Sequence, residues 1–353
     1  MTGDYPGIIS GISDYSFRLK EQLEKLGDEV FVITSLDERV TDEGVALRIA
    51  WNLRGFREIG RFLDENEIQA LNIQYPCSLY GKYNLFPHLY AVLLRLSGMK
   101  IVTTLHEFSN INLLRRLSEY LFVIFSQRII VTNDRDREAI LRRIPFSGGK
   151  MSIVPIGSNI GGVNEGPRFD SRYITSFGIF YPRKGAERVI DIMEALDRSF
   201  ENKYIFKFIG GTHPYYPDYL GRFRRLAESR LSRTEWHLDL PLNGIGPLLA
   251  DSFLSVMCFR DGASLRRGSL LAAIANGIPV ISNRGAGTDL REIEEKGLFY
   301  ADADLSNCAE IVQKLQREDF YHSAFNSLIN FAKRFDFRAI AREYQKNFSL
   351  FDE

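Results

Sequence analysis

Cations set beside helix starts are the first chemistry this sequence offers. Arg266 and Arg267, followed by Gly268 and Ser269, lie in the loop DGASLRRGS between an apolar run at 253–259 and a helical stretch at 270–275 that Asn276-Gly277 stops. The first N–H groups of a helix have no partner within it, and its dipole favours negative charge there. A guanidinium adds two parallel bonds to a phosphate. Lys184, next to Arg183 and just ahead of Gly185, occupies the same kind of place after the strand-like YITSFGIF. Two such basic loops suit a diphosphate, as in a nucleotide-linked substrate. The competing reading pairs the arginines with surface carboxylates, at little energetic gain. Asp261, Gly262 and Ser264 sit in the same loop. Asp261 and Ser264 are suited to hydrogen-bonding sugar hydroxyls, and turn chemistry accounts for them as well. His106, followed by Glu107, closes the apolar strand KIVTTLHE, where a histidine can hydrogen-bond a substrate or give it a proton; capping a strand is its structural alternative.

Composition narrows the partners. Lysine plus arginine number 45, as do aspartate plus glutamate, so no global field recruits nucleic acid or anionic lipid and any polyanion site is local. Cys77, Cys258 and Cys308 are scattered without a CxxC, which argues for a reducing compartment and against structural zinc. His213 and His237 have no metal-ligand spacing. The sequence contains no GxGxxG behind a strand, no GxxxxGK[ST] and no GxSxG, which disfavours dinucleotide binding, a P-loop and a hydrolase elbow. Nothing reads as a signal peptide or a membrane span, so the expected location is cytoplasmic. The stretch LLRRLSEYLFVIF, apolar with basic residues at one end, reads first as core and second as a peripheral contact with the inner face of a membrane.

The elements that must position these residues alternate along 353 residues, enough for two cores. The glycine-rich start MTGDYPGIISG leads into a helix with no strand ahead of it, so a first strand is expected to be absent or to lie upstream. Strands are predicted at EVFVIT, ALNIQY, KIVTTLHE and RIIVTN, with helices near 53–65, 85–97, 111–125 and 134–143. MSIVPIGSNIGGVNEGPR reads as a linker. Alternation then resumes with YITSFGIF, KYIFKFIGG, TEWHLDL and IPVIS and helices near 185–197, 216–231 and 244–251, and FDFRAIAREYQKNFSLF closes the chain as an amphipathic helix. The expected architecture is α/β, with two Rossmann-like doubly wound parallel-sheet domains facing across a cleft: residues 1–157, residues 158–330, and a helix from 331 to 353 crossing back.

Several segments in order carry a family resemblance: GISDYSFRLKEQLEKLGDEVFVIT, TLHE, VPIGSN, FGIFYPRKGAERVIDIMEAL, ANGIPVIS and FDFRAIAREYQKNF. Over nearly its full length the chain resembles the retaining GT-B glycosyltransferases of family 4. The resemblance implies a sugar-nucleotide donor on the second domain and an acceptor (a glycan, a lipid-linked molecule or a small molecule) on the first. It implies hexose transfer by front-face displacement without a metal, in surface polysaccharide or glycoconjugate synthesis. By position Lys184 matches the family's lysine on the donor diphosphate, Gly11 falls in the glycine loop that approaches the phosphates, and His106 matches the histidine near the reacting sugar. Where the family places an arginine after the glycine of FGIF this chain has Ile179, with Arg183 as a substitute. Ser264 and Ala272 stand where the family carries two glutamates eight positions apart; Asp261 and the two arginines are what this loop supplies instead. A catalytically silent sugar-nucleotide binder or partner subunit is the second reading, and a dehydrogenase or epimerase the third.

Overall fold

The computed structural model describes residues 1–350 except 9, 82–83, 109–112, 159, 161, 163–165, 183–184 and 214. Two units divide the chain, one made of Met1–Gly157 with Phe337–Glu353, the other of Ser158–Asp336.

Unit 1 runs α1 (Gly11–Lys25), β1 (Val32–Ser35), β2 (Val45–Ile49), α2 (Leu53–Glu65), β3 (Ala70–Tyr75), α3 (Phe86–Leu96), β4 (Lys100–Leu105), α4 (Leu113–Phe125), β5 (Arg128–Val131), α5 (Asp134–Leu141) and β6 (Met151–Ile153). All strand pairs are parallel, with β1 on β2 and β3-β4-β5-β6 in a second sheet. Between β3 and β1 lie the first residues of the chain. The Met1 amino group donates to Asn72 O at 2.7 Å, Gln74 N donates to Met1 O at 2.9 Å and Thr2 N to Ile33 O at 3.0 Å. That is a parallel bridge centred on Ile73, so Met1–Gly3 lies between β3 and β1 in the place of a first strand. With Met1–Gly3 counted as a strand, the strands run in the Rossmann order 3-2-1-4-5-6 and one more. In unit 1 two strands go beyond the sequence reading. β2, with alternating burial, falls where no strand is predicted, and Met151–Ile153, predicted as linker, pairs with β5.

Unit 2 contains β7 (Tyr173–Phe180), α6 (Ala186–Ser199), β8 (Ile205–Thr212), α7 (Tyr219–Arg230), β9 (Thr234–Leu238), α8 (Leu242–Ala250), β10 (Leu254–Val256), α9 (Gly268–Ala275), β11 (Val280–Ser282), β12 (Leu298–Tyr300), α10 (Cys308–Leu315) and α11 (Glu318–Ala332). Its parallel sheet reads β9-β8-β7-β10-β11-β12, the Rossmann order again. The core joins Ile174, Phe206 and Phe208 of the sheet to Ile190, Met193 and Leu196 of α6, all fully buried. Each such side chain contributes about 1.5–3 kcal/mol on leaving water.

The last helix, α12 (Phe337–Ser349), packs on unit 1. Phe337, Ile340, Ala341 and Tyr344 recur every three or four residues and bury against Leu19, Leu23, Val102 and Ile130. The Tyr344 hydroxyl sits 2.8 Å from Thr104 Oγ1 and 3.1 Å from the Tyr15 hydroxyl. Residues 331–336 belong to unit 2, so the returning element starts at Phe337 and not at 331.

Candidate functional site

In an open parallel sheet, a crevice forms where successive connections leave in opposite directions. In unit 2 that switch lies between β7 and β10, and the two basic loops of the sequence leave the carboxyl ends of these two strands. Arg183 and Lys184, in the loop after β7, lie outside the described residues. The residue that follows them is described: Gly185 has φ +78° and a Cβ there would stand 3.2 Å from the backbone of Cys258. The glycine lets the start of α6 approach the end of β10, which brings the two loops side by side.

The loop after β10 is fixed by its neighbour. Gly287 N donates to Asp261 O at 2.7 Å, Ala263 N to Asn283 O at 3.2 Å, Phe259 N to Asn283 Oδ1 at 2.7 Å and Leu265 N to Asp289 Oδ1 at 3.0 Å. Gly262 has φ +91°, and a Cβ on it would lie 2.4 Å from Thr288 Oγ1 and 2.5 Å from Gly285 N. The segment Asn283–Asp289 is therefore a clamp on the candidate loop. Sequence reasoning gave it no role, though the small residues of RGAGTD are its signal.

Within the clamped loop Arg267 is the N-cap residue of α9. Its guanidinium pairs with the Asp261 carboxylate and lies 5.1 Å from the centre of the Phe259 ring. Asp261 is thus engaged by Arg267, a pairing that differs from its expected contact with sugar hydroxyls. Ser264 is buried, Arg266 and Ser269 are half-buried, and Gly268 is exposed with open space where a Cβ would go. Ala272, at the second expected glutamate position, is buried in α9. The loop offers helix-start N–H groups and guanidinium groups, and one carboxylate that balances part of the charge. The structure brings together Asp261, Gly262, Ser264, Arg266, Arg267, Gly268 and Ser269.

Gly11 and His106 belong to unit 1. Ser10 caps α1, its hydroxyl accepting from Ser13 N at 3.0 Å, and Gly11 is exposed with nothing within 4 Å of an added Cβ. One helical turn on, the Tyr15 ring meets His106 edge-on at 4.8 Å. His106 Nε2 is 2.7 Å from Gln74 Oε1, and the His106 backbone N–H donates to Tyr75 O at 2.8 Å. Burial holds its imidazole down at about 4, so it is neutral at pH 7. A neutral ring whose Nε2 faces a glutamine is poised to hydrogen-bond and is a poor acid. Gln74, a polar residue on the apolar strand ALNIQY, was overlooked in the sequence.

A second polar group in unit 1 was also missed. Glu119 on α4 is fully buried, and neither carboxylate oxygen has a hydrogen-bond partner among the described residues; the Arg115 Nε is 3.9 Å away. Burial pushes its carboxyl up to about 9. His88 on α3, 1% exposed, stacks at 4.4 Å on Phe122 with both ring nitrogens unpartnered among the described residues, and burial holds it down at about 4. Among the described residues, no group of three His, Cys, Asp or Glu side chains is placed to hold a metal ion.

Comparison with known proteins follows this geometry. Residues 9–160 match the model of Glycosyltransferase Family 4. No curated protein matches the sequence. Among solved structures the chain is similar to a glycosyltransferase from Rickettsia africae (13% identity, TM-score 0.73, covering 98% of this chain and 97% of that one). It is similar to sucrose-phosphate synthase from Thermosynechococcus elongatus (16%, TM-score 0.69, 97% and 94%). A third is the Anabaena HepE protein in complex with UDP and glucose (14%, TM-score 0.70, 99% and 98%). These likenesses show the GT-B fold over nearly the whole chain, and residues 9–160 carry the Family 4 match.

Proposed function

We propose that this chain of the GT-B fold is a glycosyltransferase that moves a hexose, with retention, from a nucleoside-diphosphate sugar to a glycan, lipid-linked or small-molecule acceptor in surface polysaccharide or glycoconjugate synthesis. The observation that carries the reading is the pair of basic loops leaving β7 and β10 at the switch point of unit 2. The diphosphate lies over the starts of α6 and α9, with Lys184, Arg183, Arg266 and Arg267 as its counter-charges. Stabilising the leaving phosphate is then the main catalytic contribution, since charge builds up there as the glycosidic bond breaks. The solved HepE complex with UDP and glucose supports this choice of donor. His106, neutral and held by Gln74, hydrogen-bonds the reacting sugar.

The buried Ser264 and Ala272 favour a second reading, a sugar-nucleotide binder without turnover. Thermal shift against UDP, GDP and ADP sugars followed by a donor-hydrolysis assay separates the two. Stabilisation with turnover supports transfer, stabilisation without turnover under any acceptor supports the silent binder, and no stabilisation by any of them removes both.

A peripheral membrane contact belongs to the same reading. Leu85, the residue ahead of α3, and Leu89, Leu93 and Leu96 on α3 are exposed at steps of four, four and three, next to exposed Leu117 and Ile124 on α4. Arg95 and Arg116 on these helices suit anionic headgroups. No helix among the described residues is long and apolar enough to cross a membrane. Co-sedimentation with anionic vesicles, lost on Leu89→Ser with Leu93→Ser, is the expected result; equal recovery of wild type and variant in the supernatant overturns it.

A further inference from the structure

The sheet of unit 2 ends on one side at β9, which pairs with β8 alone. All five residues of β9 are half-buried. Successive residues of a strand send their backbone N–H and C=O groups to opposite sides. Phe206 N donates to Arg233 O at 3.0 Å and Asp239 N to Gly210 O at 2.8 Å, so the odd-numbered residues of this stretch face β8. The backbone groups of Thr234, Trp236 and Leu238 therefore point away from the sheet, and among the described residues nothing bonds to them. Side chains alternate too, which puts Thr234, Trp236 and Leu238 on one face and Glu235 and His237 on the other. On the first face Trp236 stacks on Phe208 at 4.3 Å, and the Arg224 guanidinium of α7 lies 5.6 Å from its ring centre.

We propose that β9 is the seat of a symmetric dimer, in which a second copy of this chain adds its own β9 antiparallel and joins two six-stranded sheets into one. An open strand edge is a template for such pairing. The register follows from backbone direction and charge. Outward-facing residues must pair with outward-facing residues, and a two-fold axis at Trp236 takes the whole of β9 into the ladder. Thr234 then exchanges hydrogen bonds with Leu238 of the other copy, and Trp236 with Trp236. Between these lie the close pairs without hydrogen bonds, their Cα atoms about 4.5 Å apart. There Glu235 stands opposite His237, and in the flanks Arg233 comes opposite Asp239. Both are acid against base, the favourable kind of cross-strand pair. An axis at Glu235 would set that carboxylate against itself and Arg233 against His237. An axis at His237 would set Glu235 against Asp239. Within one chain Glu235 Oε2 is 3.6 Å from His237 Nε2, so carboxylates and imidazoles alternate around the axis at Trp236. On the opposite face the two Trp236 side chains form a cross-strand aromatic pair. The inference is independent of the donor assignment.

Sedimentation velocity and amide exchange on the full chain test this. At about 100 µM the wild type is expected to sediment with twice the mass of one chain, and the amides of Thr234, Trp236 and Leu238 to exchange more slowly than at about 1 µM. Thr234→Pro removes an outward N–H that the ladder to β8 does not use, and is expected to give a monomer at both concentrations. His237→Glu sets carboxylate against carboxylate and is expected to do the same, while Glu235→Lys added to His237→Glu restores the dimer. A wild type that is monomeric at both concentrations, a dimer that survives Thr234→Pro and His237→Glu, or a dimer without protection of those three amides overturns the proposal.

Discussion

The two units repeat one strand order but bury different things beside it. In unit 2 the first strand, β7, is eight residues long and hydrogen-bonded on both sides, and the loop after β10 is clamped by Asn283–Asp289. In unit 1 the equivalent place is filled by Met1–Gly3, and the elements beyond it bury a carboxyl and an imidazole without hydrogen-bond partners among the described residues. The contrast teaches where each unit spends rigidity. The loop after β10 is held by its neighbour, which on the proposed reading lowers the ordering needed to hold a diphosphate. Unit 1 keeps destabilising features that make its stability depend on pH.

The sharpest way to break this comparison is at its glycines. Gly262→Ala places a Cβ 2.4 Å from Thr288 Oγ1 at φ +91° and is expected to cost about 3 kcal/mol or more, read as a large drop in Tm. Gly11→Ala and Gly268→Ala, with open space around the new Cβ, are expected to leave Tm within about 1 °C. If Gly262→Ala melts like the wild type, the clamp is not rigid.

Glu119 offers the next largest effect. Its carboxyl is raised to about 9 from 4.5, so below 4.5 it costs nothing, and stability falls as pH rises from 4.5 toward 9. His88 and His106 act oppositely: held at about 4, they make stability fall as pH drops from 6.5 toward 4. Glu119→Gln is therefore expected to stabilise by roughly 1–3 kcal/mol at pH 8 and little at pH 5, measured by denaturant titration. Equal gains at both pH values contradict the assignment.

The smallest effect on the fold concerns His106. His106→Ala is expected to lower turnover by about tenfold or more while donor Kd stays within about twofold, because the ring contacts Tyr15 and Gln74 of unit 1 whereas the proposed diphosphate loops belong to unit 2. The wild-type rate is expected to show no ionisation near 6.5 from this residue, since the ring is neutral there. Loss of donor affinity without loss of turnover makes the histidine structural.

Much of this was legible in the sequence, for reasons that also mark the limit. Long central strands such as KIVTTLHE and YITSFGIF are buried on both faces and carry continuous apolar runs. β2 and β6 are short, partly exposed strands, and VALRI and MSI carry too few apolar residues to stand out from loop. The loop after β10 was visible as a candidate anion site because helix-start chemistry is local. Its salt bridge from Arg267 to Asp261 and its fastening to Asn283–Asp289 were not, since both depend on how neighbouring loops fold over each other. Gln74 and Glu119 needed the packed core to show what surrounds them.

Calorimetric titration with the nucleoside diphosphate selected by the thermal-shift screen tests the central claim most directly. Lys184→Ala and Arg267→Ala are each expected to weaken Kd by about 10- to 100-fold at unchanged Tm, the loss of one charge-assisted hydrogen bond to phosphate. Wild-type affinity in both variants would contradict the assignment of these loops to the donor diphosphate.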